Sequence, residues 1–83
     1  MSQREVLIVL AHARQCEPCR RRLLSTPASV LAGRALTAEE KGALSQLSSD
    51  MFIDAERLAA TAGCSAQEIE EYRDHPVVRL RHF

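Results

Sequence analysis

His12, Cys16 and Cys19 are the residues of this chain whose types and spacing point most directly to chemistry. They form a His-x3-Cys-x2-Cys run. Thiolate and imidazole are the donors that zinc prefers in a four-coordinate tetrahedral shell. Positions i and i+4 of a helix lie one turn apart on the same face. His12 and Cys16 on one helix would therefore point the same way. Pro18 cannot sit inside a helix without removing a hydrogen bond and clashing with the preceding turn, but it suits a helix start. A break near Glu17 would then place Cys19 at the beginning of a second helix. The partial positive charge there favours the thiolate. Three donors converge on one helix junction, and zinc is the expected cofactor. The alternative is plain packing, with two small buried thiols and a satisfied histidine.

A fourth donor has to come from further along, because no Cys or His precedes His12. The candidates are His82, His75 and Cys64. His82 lies on a tail that could fold back over the first two helices. His75 stands before Pro76, where an imidazole often caps a helix. Cys64 follows Gly63 in a turn where a small apolar residue would also serve. His82 and His75 rank above Cys64, and the metal set taken forward is His12, Cys16, Cys19 and His82. Water or a partner's side chain could also complete the shell.

The elements that must position these residues read as helices throughout. Residues 4–16 make a first helix, with Val6, Leu7, Leu10, Ala11 and Arg14 as a mainly apolar stripe. A second covers roughly 18–25 and stops at Ser25-Thr26-Pro27. Residues 27–35 form a connector with a short helical turn at Val30 and Leu31. Thr37-Ala38-Glu39-Glu40 is a capping box that opens a third helix over 38–47, with Leu44 and Leu47 inward. Ser48-Ser49-Asp50 precedes a fourth over about 51–62, packing Phe52, Leu58, Ala59 and Ala62. A second capping box, Ser65-Ala66-Gln67-Glu68, opens a fifth helix that Pro76 stops. The tail 77–83 is short and apolar-rich and is expected to pack on the body. The expected fold is all-α: one domain over 1–83, a bundle of four to five short helices. In it, 1–26 form a zinc-binding pair and 36–76 a helical subdomain.

The 83 residues leave no room for a second core, and a domain this small gains from a metal staple. Net charge is zero but unevenly spread. Residues 1–35 hold six Arg against two Glu. Residues 36–76 hold three bases against nine acids. A uniform basic footprint for nucleic acid is absent, whereas a polarised surface suits a charged partner. The triplet Arg20-Arg21-Arg22 reads first as a solvated helix surface. The six-residue apolar run Val6–Ala11 is far too short to span a membrane. With no leader-like segment and a Cys-x2-Cys pair suited to metal in a reducing compartment, the cytoplasm is the expected location.

His12-x3-Cys16-x2-Cys19 at a helix–turn–helix junction resembles the zinc-binding anti-sigma factors. The likeness covers roughly residues 4–25. It implies zinc held by His12, Cys16 and Cys19, and a regulatory protein whose partner is a sigma factor. In that family a helix before the motif supplies the fourth ligand. A second likeness lies at Leu58-Ala59-x3-Gly63-x-Ser65-x3-Ile69-x2-Tyr72, which resembles the helix-turn-helix of transcription regulators. Its second helix carries Glu68, Glu70, Glu71 and Asp74 against Arg73 alone, which opposes contact with phosphates. A DNA-binding regulator is therefore the alternative, behind a protein-interaction module. A metal enzyme ranks last, since a catalytic zinc keeps an open position and a general base. Glu17 is adjacent, but no H-E-x-x-H arrangement exists, so the chain is expected not to be an enzyme.

Overall fold

The computed structural model describes residues 3–80 and 82, apart from the side chain of Leu80. They form seven α-helices, and no strand occurs among the described residues. The helices are α1 (Gln3–Gln15), α2 (Glu17–Ser25), α3 (Pro27–Leu31), α4 (Ala38–Leu44), α5 (Ala55–Ala62), α6 (Ala66–Tyr72) and α7 (Pro76–Leu80). A 3-10 turn, Ser49–Ile53, precedes α5. Five helices have seven residues or more, and α3 and α7 have five each. The fold is an all-α bundle.

α1 is the axis of the molecule. The sequence predicts one apolar stripe on it, but all eight residues from Val6 to Ala13 are buried. The reason is its surroundings: α2, α6 and α7 all pack against it. A helix apolar on every side belongs inside a protein. Leu10, Leu23, Leu31, Leu44, Leu58 and Ile69 complete the largest fully buried side chains together with Val9 and Val78. The buried core is aliphatic, in keeping with a chain that has no Trp, one Tyr and two Phe.

Several boundaries move for local reasons. The break between α1 and α2 falls at Cys16, whose φ of −115° and ψ of 104° are extended. Glu17 is already helical, and Pro18 sits in the first turn, where no amide partner is lost. Arg20 donates to the carbonyls of Ala13 and Arg14 at 3.4 and 3.3 Å. It thereby satisfies the open end of α1 and fixes its angle to α2. Its guanidinium also lies 5.9 Å from the centre of the Phe52 ring. Arg20 is thus structural, while Arg21 pairs with Glu17 on the exposed surface.

The expected helix over 38–47 ends at Leu44, although Leu44 and Leu47 are both buried. The expected helix over 51–62 is divided. Asp54 is extended and accepts from the Glu56 amide at 3.0 Å, so it caps α5 and separates it from the 3-10 turn. Both capping boxes form, Thr37 with Glu40 and Ser65 with Glu68. The tail contains a helix of its own, because Pro76 opens α7 just as Pro18 serves α2. Val78 packs into the core. The rest of the expected tail packing falls on the Leu80 side chain, Arg81 and Phe83, which lie outside the described residues.

The helix-turn-helix-like pair is α5 and α6. Gly63 joins them at φ +78°, in the left-handed region that favours glycine. A Cβ added at Gly63 would meet no atom within 4 Å. Gly63→Ala should therefore cost only backbone strain, about 1–2 kcal/mol. A thermal melt lowered by roughly 4–15 °C would show it, and an unchanged melting temperature would contradict it.

Candidate metal centre

The site sits where the end of α1, the start of α2 and the end of the described chain meet. His12 lies in the last turn of α1. Cys16 is the junction residue, and its amide still bonds the His12 carbonyl at 2.9 Å. Cys19 is in the first turn of α2 and buried. His82 follows α7 and is exposed. One donor atom from each of the four lies within 4.8 Å of the others.

The individual separations define the cluster. His12 Nε2 is 3.2 Å from Cys19 Sγ. His82 Nδ1 is 3.5 Å from Cys19 Sγ and 3.7 Å from Cys16 Sγ. The two imidazole rings meet edge to face, with centroids 4.7 Å apart. These four residues lie close enough to hold a metal ion.

The tautomer of His12 follows from its other nitrogen. His12 Nδ1 lies 2.5 Å from the Val78 carbonyl oxygen. A carbonyl only accepts, so Nδ1 carries the proton and donates. Nε2 then has its lone pair free to face the cluster. A backbone carbonyl behind a ligating histidine is the usual device for fixing ring orientation and raising ligand basicity. Burial pushes the His12 imidazole below its ordinary range. The Val78 hydrogen bond opposes that shift, and the electrostatic influence of His82 and Arg34 adds to it. The net effect favours the neutral ring that a metal requires.

The other two candidates have separate duties. His75 Nδ1 accepts from the Val77 amide at 3.2 Å, and its ring stacks on Tyr72. It caps α7, the structural role its place before Pro76 suggests. Cys64 is half-buried against the core in the turn after Gly63. Burial, with Glu68 nearby, pushes its thiol up, so it stays protonated.

Sequence reasoning missed Val78, because the contribution is a main-chain oxygen and any side chain could stand there. It also missed the ion pair between Glu5 and Arg34, 3.0 Å apart with both side chains nearly enclosed. That pair ties the loop after α3 to α1. The only signal was opposite charge, which every exposed pair also carries.

α5 and α6 pack against each other. α6 lies along α1, with Ile69 buried. Gln3 donates to Glu68 at 3.1 Å, Arg14 pairs with Glu70 at 3.3 Å, and Gln15 donates to the Arg73 carbonyl at 2.6 Å.

No helix among the described residues is long and apolar enough to cross a membrane. Comparison of the chain with protein-family models, curated proteins and solved structures gives no match.

Proposed function

We propose that this chain is a zinc-stabilised regulatory module that binds another protein, in the manner of the zinc-binding anti-sigma factors. The observation that carries the reading is the convergence of two imidazoles and two thiols within 4.8 Å. Zinc bonds of about 2.3 Å to sulfur and 2.0–2.1 Å to nitrogen give a tetrahedron whose N–S edges are about 3.5 Å. Three of the four N···S separations, 3.2, 3.5 and 3.7 Å, lie around that value. Two thiolates also balance the charge of a divalent ion, so a neutral centre sits beside a buried helix end.

Four protein donors close the coordination shell, which is the pattern of a structural zinc and not of a catalytic one. The metal then serves to fix a surface. Acidic residues 36–76 and basic residues 1–35 give that surface two signs, which suits a charged protein partner. The resemblance of the His12–Cys19 motif points to a sigma factor as that partner. A reducing cytoplasm, where thiolates stay available to a metal, suits the same reading. Glu68, Glu70, Glu71 and Asp74 on and just after α6 argue against nucleic acid.

Two measurements test the proposal. Elemental analysis of protein purified without added metal should return one zinc per chain, and Cys16→Ser should lose it. Affinity capture from the native cell, read by mass spectrometry, should recover a sigma factor with the wild type and not with Cys16→Ser. Absence of zinc, or repeated capture with no protein partner, would overturn it.

A further inference from the structure

α7 has five residues. A helix that short does not persist in water on its own. It stays where its contacts hold it. Val78 reaches the core, at 1% exposure, while Pro76 and Arg79 are exposed and Val77 is half-buried. The Val78 carbonyl takes the His12 proton. Beyond the helix, the His82 ring meets His12, Cys16 and Cys19.

Without an ion, the contacts of His82 with the two thiols are weak ones. Thiols are weak hydrogen-bond donors, and the His82 side chain is exposed. Among the described residues, Val78, the half-buried Val77 and the His12–Val78 hydrogen bond hold the segment against the entropy of ordering it. Most of the core side chains belong to the other helices. Leu10, Leu23, Leu31, Leu44, Leu58 and Ile69 are all fully buried and all lie on α1–α6.

We propose that a metal ion bound by His12, Cys16, Cys19 and His82 is the latch that keeps α7 seated on α1, so that losing the ion frees α7 while α1–α6 stay folded. The proposal rests on the metal-centre reading above and adds the regulation of that site. On release, the ion passes to a competing chelator, and each thiolate takes a proton from water. His82 then has no strong bond to the body. His12 loses the Val78 carbonyl when α7 leaves, and the seat of Val78 beside α1 is uncovered.

Hydrogen exchange read by mass spectrometry on the full chain tests this, with metal content measured in parallel. The wild type is compared as purified with zinc and after removal of zinc by a chelator; His82→Ala is measured with zinc present. The amides of Val78 and Arg79, which both bond the His75 carbonyl at 2.9 and 3.2 Å, report on α7. They should exchange at least about tenfold faster in the metal-free wild type and in His82→Ala, while the amides of α1 and α5 keep their protection. Unchanged exchange in α7, in a wild type that holds stoichiometric zinc, would overturn the latch and leave the metal centre standing. Loss of protection throughout the chain would also overturn it, since the metal would then govern the whole fold. A wild type that takes up no zinc would bring down both.

Discussion

Cys19→Ser should abolish stoichiometric zinc and lower the melting temperature of the purified protein by about 15 °C or more. The size follows from mass action. A ligand present at a thousand times its dissociation constant stabilises the folded state by about 4 kcal/mol. For a domain of this length each kcal/mol moves the melting point by about 4–8 °C. The substitution itself disturbs little else. Serine is close in size, and its hydroxyl can donate to His12 Nε2, which lies 3.2 Å from Cys19 Sγ. The buried position is therefore not left with an unpaired polar group. Nearly the whole effect should come from the ion. The variant should melt within a few degrees of the chelator-treated wild type, and added zinc should raise the wild type alone. A variant that keeps its zinc, or melts with the loaded wild type, would contradict the proposed centre.

Leu10→Ala should be comparably damaging, for a different reason. Leu10 has no exposed surface and stands at the middle of α1, two residues before His12. Truncating a fully buried leucine costs about 2–5 kcal/mol, because the cavity left behind collapses only in part. A domain of this size has roughly 4–12 kcal/mol in total. The melting temperature should fall by about 10–30 °C. The loss is independent of the metal, so the variant should become conditional on it: folded with excess zinc and largely unfolded with chelator. Circular dichroism melts in the two conditions provide the check. A cavity variant that melts like the wild type would mean that α1 is not the axis the packing indicates.

These two substitutions separate what the sequence could reveal from what it could not. Helix class was readable because several starts carry their own signal: Pro18, Thr37 and Ser65 open helices as expected, whereas Pro76, read only as a stop, also opens α7. Ends were harder. α4 ends early, at Leu44, and Asp54 divides an expected helix because one favourable cap outweighs a run of ordinary helix formers. The burial of α1 on all sides was hidden in Val6–Ala13, a run apolar enough to be read as a stripe, a strand or a core. Only the packing of α2, α6 and α7 decides among them. At the site, three donors were legible from local spacing. His82 could be ranked but not separated from His75 by spacing, because the choice depends on how α7 turns. His75 is occupied with the Val77 amide, and that leaves His82 to reach the cluster.

The order of these donors along the chain bears on how the protein is made. Cys19 and His82 are separated by 63 positions. As synthesis runs from amino to carboxyl end, His12, Cys16 and Cys19 emerge together, well ahead of His82. They can hold an ion loosely before any core exists, with the remaining coordination site left to water. His82 is the last of the four donors to arrive, after the residues of α1–α7 have been synthesised. An ion already aboard at three points would be handed its final ligand by the folding of the chain. The difference in affinity between three donors and four, and not the total affinity, is what such an ion contributes to the native state.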